Sequence, residues 1–213
     1  MQILLQKIIP VYLEDDKISN SEIWGQEIIL SKGEHLHIIA PSGKGKTSLV
    51  HFIYGLRKDY EGDVFYSSEN INSFSLEKFS IFRQKNISII FQDLRLFSGQ
   101  TVMANLEIKR TLHPYHPKEK ITDMARQLGI ESKLNKLAGT CSYGEQQRIA
   151  IIRSLLQPFD FLLLDEPFSH LDDANRLKAF ELIKEECDHR KASMIFADLK
   201  RLDFFNDERI LKL

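Results

Sequence analysis

Short apolar runs alternate along the chain with stretches in which apolar residues recur every three or four positions. Residues 1–12 and 26–31 read as strands, and His35–Ala40 as a short apolar strand. Pro41–Lys46 reads as a turn. Thr47–Leu56 carries Leu49, Val50, Phe52, Ile53 and Leu56 at helical spacing. Asp63–Tyr66 is a predicted strand after Glu61-Gly62, and Ile87–Phe91 a buried one. Residues 100–138 are predicted mostly helical, broken by Pro114 and Pro117. A helix over Glu145–Leu156 should end at Pro158, before the continuous apolar strand Phe161–Leu164. Leu177–Cys187 is an amphipathic helix, and Met194–Ala197 and Arg209–Leu213 are the last strands. Helices between apolar strands predict an α/β fold whose largely parallel sheet is covered on both faces.

Composition narrows the class. The 213 residues predict one domain, and 43% hydrophobic with 28% charged residues argues against disorder. Lys and Arg number 29 against 30 Asp and Glu, so no nucleic-acid partner is expected from charge. No apolar run reaches the ~18 residues of a membrane-spanning helix. The opening MQILLQKIIPVY has no small-residue cleavage site and reads as a strand, not a signal peptide. Two cysteines, Cys141 and Cys187, imply no disulfide framework and fit a reducing cytoplasm. His113-Pro-Tyr-His116 has a metal-like spacing, but its flanking prolines make it a loop with no Cys or acid close by in sequence.

The first chemical signal follows the strand His35–Ala40. Ala40-Pro-Ser42-Gly43-Lys44-Gly45-Lys46-Thr47-Ser48 is a glycine-bearing loop leading into a helix. Gly43 and Gly45 let backbone N–H groups curl around an anion, and the helix N-terminus adds partial positive charge. Lys46 would reach the β- and γ-phosphates and Thr47 would ligate Mg²⁺. Ala40 stands where the motif asks for its first glycine, which is tolerable unless that position needs a positive φ. The second signal is Phe161-Leu-Leu-Leu164-Asp165-Glu166-Pro167, an apolar strand that delivers two carboxylates at its C-terminal edge, where open α/β sheets bind ligands. Asp165 would hold Mg²⁺, and Glu166 would orient or deprotonate an attacking water.

With these motifs the chain resembles the ATP-binding cassette (ABC) family over essentially its whole length. Phe91-Gln92-Asp93-Leu94-Arg95-Leu96-Phe97 is similar to its Q-loop. Cys141-Ser142-Tyr143-Gly144-Glu145-Gln146-Gln147-Arg148 stands at the place of the signature L-S-G-G-Q-Q-Q-R, and Ser169-His170-Leu171-Asp172 resembles the D-loop. The resemblance implies a P-loop NTPase core, an N-terminal antiparallel β region and an inserted helical arm, with core 1–92 and 146–213 and arm about 93–145. It implies ATP and Mg²⁺ as ligands and a head-to-tail dimer, with the same chain or another cassette, that sandwiches the nucleotide. Each nucleotide would touch Ser42 through Ser48 of one chain and Ser142 and Gly144 of the other. Gln92 would contact the metal and the attacking water. Tyr12 resembles the aromatic that stacks on adenine, and a surface tyrosine at a strand end is the equal alternative. The arm would touch a transmembrane permease subunit, placing the chain in the cytoplasm on the inner face of the membrane. The Q-loop run with Thr101-Val102 and Asn105-Leu106 is most similar to the lipoprotein-release, macrolide-export and cell-division branch. The sequence closes on its last strand with no appended regulatory domain expected.

The sequence also departs from the family. Cys141, Tyr143 and Glu145 replace signature residues, although Ser142-x-x-Glu145 is a capping box that should still start the helix. Tyr143 would obstruct close approach. Glu145 adds negative charge near a polyanion, a repulsion of about 3 kcal/mol before screening, which Lys44 and Arg148 could offset. Ala197 falls where the family has its switch histidine, and losing such a contact costs about 10²–10³ in rate. His170 is a candidate replacement across the dimer interface, against the alternative of an ordinary polar loop residue. Two functions follow as expectations: a slow ATPase subunit of a membrane transporter or related complex, or a nucleotide-binding regulatory or structural subunit paired with an active cassette.

Overall fold

The computed structural model describes residues 1–14, 18, 20–205 and 209–213. Two sheets carry the fold. The first is antiparallel, in the order β2-β1-β4-β5, formed by β1 (Gln2–Pro10), β2 (Glu27–Ser31), β4 (Tyr60–Tyr66) and the short β5 (Glu69–Asn70). The second is parallel, in the order β6-β7-β8-β3-β9, from β3 (Leu36–Ile39), β6 (Ile87–Ile90), β7 (Phe161–Asp165), β8 (Ser193–Asp198) and β9 (Arg209–Lys212). Ile3 on β1 pairs with Leu30 and with Tyr66, which fixes β1 as the centre of the first sheet.

Period-two alternation explains how the parallel sheet is covered on both faces. On β7, Phe161 and Leu163 pack toward α1 (Lys46–Ile53) and the antiparallel sheet. Leu162 and Leu164 pack the other way, into a core shared with α5 (Tyr143–Leu155) and α6 (Asp173–Arg190). Asp165 shares the parity of Phe161 and Leu163, so the strand carries its carboxylate toward the start of α1. Ala197 is its register partner on β8.

The inserted segment has α3 (Val102–Leu112), α4 (Glu119–Gln127) and two single-turn 3₁₀ helices. Its ends are zipped by Val102 N–H to Lys136 O (2.9 Å) and Ala138 N–H to Gln100 O (2.9 Å). Ile121, Met124 and Leu128 of this segment share the core of α5, so the arm is packed rather than free. Among the described residues no group of three or more His, Cys, Asp or Glu side chains is placed to hold a metal, and His116 between the prolines is engaged otherwise. Its Nε2 lies 2.8 Å from Glu186 Oε2.

One helix is absent from the sequence reading: α2 (Leu76–Lys85), capped by the Ser75 hydroxyl accepting from Lys78 N–H. Only Phe79 of α2 is buried, and Leu76 is 90% exposed, so no apolar stripe announced it. Other boundaries shift outward. β4 begins at Tyr60, α5 at Tyr143, and α6 runs Asp173–Arg190 because Asp172 caps it, its side chain accepting from Asn175 N–H at 2.8 Å.

Candidate functional site: a phosphate loop facing two carboxylates

The loop between β3 and α1 is a left-handed curl at two positions, Gly43 (φ +80°) and Gly45 (φ +94°). At Gly45 a side chain is excluded twice. A Cβ there would lie 2.9 Å from Trp24 Cζ2, and Trp24 Nε1–H donates to Lys44 O at 3.3 Å. Trp24 therefore braces the loop from below, a role the sequence did not reveal. Ala40 is outside the left-handed region and fully buried, so the missing first glycine is harmless.

Lys46 is 5% exposed. Its ammonium donates to Ala40 O (2.8 Å) and Pro41 O (3.2 Å) and sits 3.4 Å from Glu166 Oε1. Gln92 closes the arrangement: its amide N–H donates to Glu166 Oε2 at 3.4 Å, and its Oε1 accepts from Thr47 Oγ1–H at 3.3 Å. Residues Ser42 to Ser48, apart from Lys44, line one cavity of about 300 Å³ with Tyr12, Arg57, Gln92 and Glu166. Tyr12 is half exposed and its hydroxyl donates to Ser48 Oγ.

Asp165 is fully buried, and neither carboxylate oxygen has a hydrogen-bond partner among the described residues. Burial raises its carboxyl to about 6, helped by the Glu166 charge and opposed by the nearby Thr47 hydroxyl and Lys46. An orphaned buried carboxylate beside hydroxyl and amide oxygens suits a hard divalent cation such as Mg²⁺. Glu166 follows with φ +46°, its N–H donating to Ala197 O at 2.9 Å. A non-glycine residue in that region is strained, and here the strain turns the carboxylate toward Lys46.

The signature-like segment forms the expected capping box. Ser142 Oγ accepts from Glu145 N–H (3.3 Å) and Glu145 Oε2 accepts from Ser142 N–H (2.8 Å). The charge on Glu145 is answered by Lys133, whose Nζ is 2.9 Å from Oε1, in place of the Lys44 and Arg148 considered from sequence. That ion pair, with the Ser142 N–H, holds its carboxyl below the usual range. Tyr143 reaches back to this chain's own Gln92, its hydroxyl 3.4 Å from the backbone oxygen. At Gly144 a Cβ would press on the D-loop-like turn, lying 3.0 Å from His170 O. His170 Nδ1 is 2.9 Å from Ser169 Oγ. Ala197 is fully buried and offers no polar group where a switch imidazole would stand.

A family model described as ABC transporter matches residues 25–169. The chain belongs to the ABC transporter family. As an ABC cassette it is an ATP-binding ATPase subunit. It is 32% identical over 174 residues to the ABC transporter ATP-binding protein YxdL of Bacillus subtilis (strain 168), covering 79% of this chain and 68% of that one. It is 32% identical over 200 residues to the thiamine import ATP-binding protein ThiQ of Photobacterium profundum, covering 91% and 80%. The macrolide export ATP-binding/permease protein MacB of Nitrosomonas europaea matches at 28% over 173 residues, 80% of this chain but 26% of its own length. These names span import and export and single out no branch. The dimeric bacterial ABC transporter cassette MJ0796 shares the fold, with a TM-score of 0.79 at 22% identity, covering 93% of this chain and 88% of that one.

Three side chains of the cassette escaped the motif reading. Gln147 of α5 donates to Glu166 O and Ser169 Oγ (3.3 Å each) and accepts from His170 N–H (3.0 Å), tying the signature helix to the acidic strand end. Arg153 donates to Leu94 O (2.5 Å) and Arg95 O (2.7 Å), stapling two consecutive left-handed residues just after Gln92. Arg57 lines the same cavity as the phosphate loop. Gln147 stood inside the quoted signature, whereas Arg57 and Arg153 carry no local pattern.

Proposed function

We propose that the cassette binds ATP–Mg²⁺ between its phosphate loop and its acidic strand end and hydrolyses it slowly to drive a membrane transporter. The observation that carries this reading is the placement of Lys46 3.4 Å from Glu166, with the unpartnered Asp165 carboxylate immediately before Glu166 at the end of β7. Backbone N–H groups of Ser42 to Ser48 cradle the phosphates, and Lys46 turns from its carbonyl partners to the β- and γ-oxygens. Asp165, Thr47 and Gln92 are the residues that would hold Mg²⁺, whose charge would neutralise the phosphates. Glu166 orients the attacking water and accepts its proton, and Tyr12 supports the adenine. The division into core 1–92 and 146–213 with arm about 93–145 belongs to the same reading.

Ser142 and Gly144 serve the nucleotide of a second cassette in a head-to-tail dimer, and a transmembrane permease subunit contacts the arm on the inner face of the membrane. Among the described residues no helix is long and apolar enough to cross a membrane. Names of the relatives that pair ATP-binding and permease functions support a permease partner. The buried Ala197 supports slow turnover, since one lost electrostatic contact to the reacting phosphate costs about 10²–10³ in rate. The same residue favours a second reading, a regulatory cassette without useful turnover. Phosphate release from purified protein with Mg-ATP separates the two. Release abolished by Glu166→Gln supports the ATPase, whereas nucleotide binding without release supports the regulator. No adenine-nucleotide binding, unchanged in Lys46→Ala, would sink both.

A further inference from the structure

We infer that Arg57 is a nucleotide ligand, the cation that receives the α-phosphate between the Lys46 end of the cavity and the Tyr12 end. The inference rests on the ATP-binding reading above and adds a residue to it. Arg57 lies in the turn that follows α1, after Gly55, which has φ +68° and no room for a Cβ because Phe79 Cε1 would be 2.3 Å away. That tight turn brings the guanidinium back beside the first turn of α1. There Arg57 Nη1 donates to Ser48 Oγ at 3.1 Å, and the Tyr12 hydroxyl donates to the same oxygen. The guanidinium carbon stands 5.0 Å from the Tyr12 ring centroid and 5.7 Å from that of Phe52.

Asp59 fixes the fork from behind, with Nε donating to Oδ1 at 2.9 Å and Nη2 to Oδ2. Both side chains of this pair are more than a third exposed, so the contact adds little to stability. Its consequence is orientation: a planar cation held in one pose, with N–H donors left over for an anion.

Charge arithmetic in the cavity points the same way. Among the described residues, Lys46 and Arg57 are the two cationic ones lining it. Lys46 faces Glu166 and Arg57 faces Asp59, but Glu166 lines the cavity and Asp59 does not, so a polyanion entering here meets Arg57 with its counter-charge behind it. Lys46 engages the β- and γ-phosphates in a loop of this kind. A chain running from Lys46 to a base on Tyr12 passes Ser48 and Arg57, which sets the α-phosphate against the guanidinium. Bidentate N–H donation to a phosphate oxygen pair is the chemistry for which arginine is suited.

The test is competition and titration on the Glu166→Gln background, which prevents turnover. ATP and ADP affinities are measured for the parent, Arg57→Ala, Arg57→Lys and Asp59→Asn, with AMP and adenosine as competitors. Arg57→Ala should weaken ATP and ADP by the same factor, about tenfold, as expected for one charge-assisted hydrogen-bonded contact. AMP should compete better than adenosine in the parent and no better in Arg57→Ala. Arg57→Lys should lose less, because it keeps the charge without the fork, and Asp59→Asn should fall between. On the Glu166 enzyme, Arg57→Ala should raise KM with kcat unchanged, the sign of binding that is equal in ground and transition states. A merely structural Arg57 would lower the melting temperature and leave these ratios alone, which overturns the inference. Equal weakening of AMP and adenosine also overturns it, by moving the contact from phosphate to base. If the parent binds neither ATP nor ADP, the ATP reading itself fails, and that failure is seen before any Arg57 variant is measured.

Discussion

The Tyr143 ring sits 4.2 Å from the His170 ring, tilted by 54°, within one protomer. Tyr143 is thereby held between the D-loop-like turn and the backbone of Gln92, and with Thr47, Gln92 and Asp165 it lines a second cavity. A side chain that a second protomer's nucleotide should approach closely is occupied inside its own chain. Tyr143→Gly frees that approach. We expect the change to raise ATP-driven dimerisation and phosphate release by roughly tenfold, the scale of 1.4 kcal/mol. Light scattering with ATP in the Glu166→Gln background, and phosphate release without it, measure the two effects. An unchanged or slower cassette would show that Tyr143 obstructs nothing.

The same pairing bears on His170 as a substitute for the missing switch imidazole. Its ring is engaged by Ser169 and Tyr143, and its own N–H is bonded to Gln147. We expect His170→Ala to change turnover by less than twofold. A tenfold loss would assign the imidazole a place at the reacting phosphate after all.

Restoring a histidine at the switch position is expected to fail for packing reasons. Ala197 is fully buried opposite Asp165 in the β7–β8 register and belongs to the core beneath α1. Enlarging a packed position costs about 1–3 kcal/mol. Ala197→His should lower the melting temperature by several degrees without a gain in rate, a pattern calorimetry and phosphate release together detect. A faster, equally stable variant would refute the packing argument.

Much of this was legible in the sequence because the chemistry is local. The strand–loop–helix of Ala40 to Ser48 and the apolar strand ending in Asp165 and Glu166 carry their spacing in consecutive residues. The continuous apolar run Phe161–Leu164, set between helical stretches, announced a sheet buried on both faces, and the Ser142/Glu145 capping box formed as read. What was hidden depends on contacts distant in the chain. Trp24 under Gly45, Arg57 beside Tyr12, Arg153 on the Leu94–Arg95 turn and Lys133 on Glu145 have no signal in a window of neighbouring residues. Helix α2 was missed because its exposed face, Leu76 included, breaks the apolar periodicity.

The unpartnered Asp165 sets function against stability. Its carboxyl is raised to about 6 from an ordinary 3.8, so the charged form disfavours the folded, nucleotide-free state at neutral pH by about 3 kcal/mol. Asp165→Asn should therefore stabilise the nucleotide-free cassette, by about 1–3 kcal/mol, in urea unfolding at pH 7. It should also lose the extra stability that Mg-ATP confers on the parent. A destabilised variant would mean that Asp165 has a partner holding its charge.

Glu186 lies at the other extreme and joins the arm to the core. Burial alone would raise its carboxyl, but the His116 contact at 2.8 Å and the Arg190 guanidinium at 2.6 Å overcome burial and hold it at about 2. The Lys120 ammonium lies 3.2 Å from the other Glu186 oxygen. Arg190 also donates to Leu155 O and Gln157 O and lies over the Tyr115 and Phe159 rings, so the cluster binds the His113–Pro117 loop to α5 and α6. A carboxyl depressed in the folded state stabilises it fully above the unfolded value near 4.5, and that stability is lost as pH falls toward 2. Glu186→Gln should cost about 3 kcal/mol at pH 7, because the buried cations lose their counter-charge. The cost should shrink as pH drops from about 4.5 toward 2, where the parent's own carboxyl protonates. Urea unfolding of parent and variant between pH 7 and about 2.5 reads the difference directly. A gap that stays constant across that range would remove Glu186 as the pH-sensitive tie between arm and core.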